Sequence, residues 1–191
     1  MNKKKIFIAV DTNKVSKAKK IINDTQTNKI KVGYKFGLEF FYSKDGRKFI
    51  SNLRNQIIFL DLKLNDIPNT VNSAMRSLKN LKIAYLTVHL SSGLSALQAL
   101  KKASKSIKIA GVTTLTSLND KDLKEIGYNK KVNELVKHQA KLATKAKLDA
   151  IVCSGHEIRS VKRVFKKEII TPGIKIKNLK NDQKRIMGPA D

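Results

Sequence analysis

Seven short apolar runs, separated by lysine-rich segments whose apolar residues recur at helical spacing, constrain this chain more than any other feature. The runs are IFIAV (6–10), IKV (30–32), IIFLDL (57–62), AYLTVHL (84–90), IKIAGV (107–112), DAIVC (149–153) and EIIT (168–171). Helical patterns occupy residues 15–23, 46–55, 69–79, 94–103, 132–145 and 157–165. Strands that alternate with helices pair mainly in parallel, because a parallel pair needs a long crossover, and such a sheet is covered on both faces. The expected class is therefore α/β.

Two architectures satisfy that pattern: an open doubly wound sheet and a closed (β/α)8 barrel. The dinucleotide-binding form of the open sheet carries a glycine fingerprint after its first strand, whereas Asp11, Thr12 and Asn13 stand there in this chain. The barrel is favoured. It uses roughly 30 residues per strand-helix unit, so 191 residues hold seven units, and the expected fold is a TIM barrel lacking its last strand-helix unit. The domain expectation is one incomplete barrel over residues 1–191, with unpaired edges at the first and seventh strands.

Composition narrows the function classes. No run approaches the roughly 18 apolar residues of a membrane span, and the start has no long apolar segment or cleavage site, so the expected location is cytoplasmic. Cys153 has no second cysteine to pair with, and His89, His138 and His156 are scattered singly without metal-ligand spacing, which argues against a metal. The net charge of +25 raises nucleic acid as a partner, but 34 of the 40 basic residues are lysine and aromatics do not interleave with them. The expectation is a solvated cationic surface that attracts anionic ligands, not specific nucleic-acid binding.

A barrel carries its active site at the C-terminal ends of the strands. The polar residues expected there are Asp11, Lys31, Asp61, Lys63, His89, Thr116 and Ser117, followed by TPGIK at residues 171–175. Asp61 and Lys63 lie two apart on one strand and so share a face, while Leu60, Leu62 and Leu64 take the other. An ordinary exposed ion pair is the simpler account. Against it, the preceding strand is apolar on both faces, which marks a central strand. With Asp66 just beyond, the group has the composition of an anion-handling site.

The segment DLKLNDIPNTV (61–71) resembles the signature of the orotidine 5'-phosphate decarboxylase family. Further similarity runs through IAVD (8–11), KVGYKF (31–36), VHLSSG (88–93), GVTTLTS (111–117), IVCSGHE (151–157), TPGIK (171–175) and DQKRIMGPA (182–190). DxKxxD alone would indicate only the wider superfamily of sugar-phosphate decarboxylases and aldolases; IPNTV and DQKR narrow the likeness to the orotidylate branch. The resemblance implies a cofactor-independent lyase that converts orotidine 5'-phosphate to UMP. By the same resemblance, Asp11 and Lys31 hold the ribose, Lys31 joins a charge array with Asp61, Lys63 and Asp66, and Lys63 donates a proton to pyrimidine C6. Thr116 contacts the pyrimidine, and Lys175 and Gln183 serve the phosphate. Asp66 and Thr70 reach a neighbouring subunit's site, which implies a homodimer with shared active sites. Two departures stand out: Lys175 replaces an arginine common in relatives, losing its planar fork, and the family's final Gly-Arg pair falls beyond the sequence. A sugar-phosphate decarboxylase or aldolase and a non-catalytic basic anion-binding remnant remain as alternatives.

Overall fold

The computed structural model describes residues 5–174 and 187–188. Its seven strands are β1 (Lys5–Ala9), β2 (Lys31–Gly37), β3 (Ile57–Leu64), β4 (Tyr85–His89), β5 (Lys108–Val112), β6 (Ala150–Val152) and β7 (Glu168–Ile170). All neighbouring pairs are parallel and the spatial order follows the sequence order. The helices are α1 (Val15–Asp24), α2 (Leu38–Phe41), α3 (Gly46–Asn52), α4 (Pro68–Ser77), α5 (Gly93–Ala103), α6 (Asp120–Glu125), α7 (Val132–Lys145) and α8 (Ile158–Val164). Among the described residues these are seven strands, with helices following the first six, in the order of a (β/α)8 barrel. Among the described residues, β1 and β7 are the edges of the curled sheet.

Two apolar layers hold it. The larger lies between sheet and helices and takes the outward residues of the strands, including Leu60, Leu62, Leu86, Val88 and Ile109. The smaller fills the barrel interior with Phe59, Tyr85, Ala110 and Ala150, joined by Phe7, Ile57, Val152 and Ile170. Phe7 meets Phe59 and Tyr85 edge-on, with centroids 5.0 and 5.2 Å away, which suits the aromatic quadrupole. Gly33 makes room for this: a Cβ there would lie 2.7 Å from the Phe7 ring.

The structure departs from the sequence expectation in three places. β2 runs to Gly37 instead of ending near Val32, because Gly33 and Lys35 interrupt its apolar run yet belong on the interior face. Helix α3 stops at Asn52, and Asn55 turns the chain into β3 at φ 61°. Helices α2 and α6 were not expected from periodicity, being too short to show it. A capping box between Asn119 and Asp122 starts α6.

Candidate active site

The charged residues gather where β3 loses its regular register with β4. Leu60 pairs with Leu86 and Leu64 with Val88, so Asp61, Leu62 and Lys63 together face only Thr87. Lys63 takes φ 48°, a left-handed conformation uncommon for a side-chain-bearing residue. This bulge sits at the C-terminal end of the strand, the functional end of a barrel.

Asp61 is the centre of the group. It is 9% exposed. Its Oδ2 lies 2.9 Å from Lys63 Nζ and 3.4 Å from Lys35 Nζ, and its Oδ1 accepts a hydrogen bond from the Thr87 hydroxyl at 3.0 Å. Burial pushes this carboxyl up, but Lys35 and Lys63, with the hydrogen bonds from Lys63 and Thr87, outweigh burial and hold it below the usual carboxylate range. Lys35 also lies 3.9 Å from the exposed Asp11. His89, half-buried at the end of β4, is held below the ordinary imidazole range by burial, then by the nearby charge of Lys63, with Asp61 opposing. The result is a line of alternating charge, Lys35, Asp61, Lys63, open to the barrel mouth. With Asp11 beside Lys35, two ammonium and two carboxylate groups alternate here, and both lysine heads are partly exposed, within reach of an anionic group of a ligand.

Lys31 is not part of this line. It is the first residue of β2, exposed, and in register with Lys5 at the opposite end of the barrel. Lys31 and Lys35 share a strand face by parity, but four residues at about 3.3 Å each separate them by roughly 13 Å. The ladder with β3 sets Lys35 opposite Phe59 and Gly37 opposite Asp61, which brings Lys35 to the mouth. The expected place of Lys31 in the charge array is therefore corrected to Lys35. Ending β2 too early hid this, and parity alone does not separate the two lysines; the register with β3 does.

The remaining expected residues are placed as follows. Asp66 is exposed and accepts the N–H of Ile67 at 2.7 Å, at the start of α4; among the described residues no ion pair joins it to Lys63. Thr70 is exposed in the first turn of α4. Thr116 is partly exposed in the loop after β5, whose base is held by the Thr114 N–H donating to Gln139 Oε1 at 2.8 Å. Lys175 and Gln183 lie outside the described residues. Thr87 had no distinguishing sequence signal: it is one polar residue inside an apolar strand. Among the described residues no cluster of three His, Cys, Asp or Glu could hold a metal ion, and no helix is long and apolar enough to cross a membrane.

Residues 4–191 match the family model described as "Orotidine 5'-phosphate decarboxylase / HUMPS family". The chain is 43% identical over 164 residues to an orotidine 5'-phosphate decarboxylase of Ehrlichia chaffeensis, covering 82% of this chain and 71% of the relative. It is 37% identical over 192 residues to one of Erythrobacter litoralis, covering 96% and 83%. Among solved structures, the orotidine 5'-phosphate decarboxylase of Lactobacillus acidophilus superposes with a TM-score of 0.76 at 29% identity, covering 89% of this chain and 81% of that one. By its sequence, its barrel and the family model matched along nearly its whole length, the chain belongs to the orotidine 5'-phosphate decarboxylase / HUMPS family.

Proposed function

We propose that this chain is a cofactor-independent carboxy-lyase that converts orotidine 5'-phosphate to UMP and carbon dioxide, a step of pyrimidine synthesis, in the cytoplasm. The observation that carries the reading is the line Lys35, Asp61, Lys63 at the barrel mouth, in a chain whose curated relatives bear the name of that decarboxylase.

The chemistry needs these groups. Breaking the bond between C6 and the carboxylate releases carbon dioxide and leaves the electron pair localised at C6, where no ring carbonyl is placed to accept it by simple conjugation. A fixed ammonium at C6 stabilises that pair electrostatically and then gives it a proton, and preorganised stabilisation of this kind is usually the largest catalytic contribution. Lys63 takes this role; left neutral, it regains its proton from solvent. Asp61 orients Lys63 and faces the substrate carboxylate. Repulsion between two such charges about 4 Å apart is worth roughly 4 kcal/mol at an effective dielectric of 20, a small part of the barrier reduction, so it is secondary. Asp11 and Lys35 hold the ribose, Thr116 the pyrimidine, and Lys175 and Gln183 the phosphate. Binding energy from the phosphate drives ordering of the charged groups.

The working unit in this reading is a homodimer, with Asp66 and Thr70 completing the neighbour's site. The exposed start of α4, with Ile67 66% exposed, supports it, as does the adjoining groove of about 410 Å³ lined by residues 65–68 and 92–96.

Incubation of the full chain with orotidine 5'-phosphate should yield UMP, and Lys63→Ala should abolish it. Full activity in Lys63→Ala would overturn the role of that lysine. Turnover of a hexulose or pentulose phosphate with none of orotidylate would move the chain to the sugar-phosphate branch.

A further inference from the structure

The buried hydroxyl of Thr87 touches both residues of the central ion pair. Thr87 is 0% exposed. Its Oγ1 accepts the backbone N–H of Lys63 at 2.8 Å and donates to Asp61 Oδ1 at 3.0 Å. A hydroxyl has one donor and two acceptor sites, so both contacts can be made at once.

Each contact answers a local need. The bulge sets three β3 residues against one on β4, which takes the Lys63 N–H out of the regular ladder, and a buried N–H without an acceptor is costly. Thr87 Oγ1 is that acceptor, and it holds the nitrogen bonded to the Lys63 Cα, a residue itself at φ 48°. On the other side, engaging Oδ1 turns the Asp61 carboxylate so that Oδ2 faces both Lys63 Nζ and Lys35 Nζ. One side chain therefore fixes the backbone of the proposed proton donor and the rotation of the carboxylate that holds it.

We propose that Thr87 is a positioning residue for the decarboxylation, its hydroxyl locking the β3 bulge and the Asp61 carboxylate in the geometry that aims Lys63. The proposal rests on the role given to Lys63 above. A generic buried threonine, satisfied by whatever carbonyl lies nearest, would tie it to strand or helix backbone. Here both partners belong to the charged line.

The test compares Thr87→Val, which keeps the shape and removes the hydroxyl, with Thr87→Ser, which keeps the hydroxyl. In the full chain, Thr87→Val should lower kcat for orotidylate by about 10- to 100-fold, less than the roughly 100- to 1000-fold of losing a donor that touches the reacting atoms, with KM changed less than about threefold. Thr87→Ser should restore kcat to within about threefold of the unsubstituted chain. Equal kcat in Thr87→Val and the unsubstituted chain would overturn the proposal. A Thr87→Ser variant as impaired as Thr87→Val would overturn it too, since packing would then be the cause. A second measurement needs no turnover: the carboxyl carbon resonance of Asp61, followed against pH, should titrate at higher pH in Thr87→Val and at the native position in Thr87→Ser. An unchanged Asp61 titration in Thr87→Val overturns the positioning role even if the chain proves inactive on orotidylate, whereas absent turnover with a shifted titration overturns only the functional reading.

Discussion

Lys5 on the first strand and Glu168 on the last meet at 3.2 Å, joining the two edges of the curled sheet through the barrel interior. Glu168 also accepts from the Tyr85 hydroxyl, at 2.9 Å through Oε1 and 2.8 Å through Oε2, and from Lys108 Nζ at 3.0 Å, while Lys5 donates to the same Tyr85 hydroxyl. Four strands are tied to one carboxylate at the end of the barrel opposite the charged mouth. The sheet curls far enough for its edge strands to interact directly.

This predicts a pH-dependent contribution to stability. Burial pushes the Glu168 carboxyl up, but hydrogen bonds from Lys108, Tyr85 and Lys5 and the charge of Lys5 hold it below the usual range. A carboxyl depressed in the folded state stabilises fully above its unfolded pKa and loses that contribution as pH falls through the folded value. Glu168→Gln should therefore cost about 1–3 kcal/mol near pH 7, read as a lower Tm in thermal melts. The gap from the unsubstituted chain should hold from pH 8 to 6 and close below about pH 4. A gap that persists at pH 3 would mean that the charge of Glu168 is not what stabilises.

The two lysines of β2 should separate sharply in kinetics. Lys35→Ala removes the ammonium 3.4 Å from Asp61 and is expected to lower kcat/KM for orotidylate by about 100-fold or more, as for truncating one member of a largely buried charge pair. Lys31→Ala, at the far end of the strand, should leave it within about twofold. The reverse order would restore Lys31 to the site.

A mixing experiment tests the shared sites. Lys63→Ala and Asp66→Ala should each be inactive as homodimers. If Asp66 serves the neighbouring subunit, a mixed dimer has one site carrying both substitutions and one with neither, so equal mixing should recover about a quarter of native activity. No recovery after verified subunit exchange would place Asp66 in its own subunit's site.

Much of the architecture was readable along the chain because parallel strands covered on both faces are written as apolar runs, and amphipathic crossovers as periodic ones. The pair Asp61 and Lys63 was readable for a related reason: a period of two places i and i+2 on one face, and the neighbouring leucines mark the other. Short elements carry no such period. Helix α6 depends on its Asn119 cap, and the four residues of α2 are held by packing of Phe40 against Phe36 and Phe49.

Depth along the barrel axis was the quantity that periodicity could not supply. Lys31 and Lys35 have the same parity on one strand, and only the ladder to β3 shows which of them stands level with Asp61. Thr87 is the same kind of case, since its importance comes from the bulge that turns the Lys63 N–H onto it. Which face a strand residue takes follows from chain chemistry, residue by residue. How high it stands, and which group from another strand meets it there, follows from register between strands distant in sequence, which hydrogen bonding and packing settle together in the folded barrel.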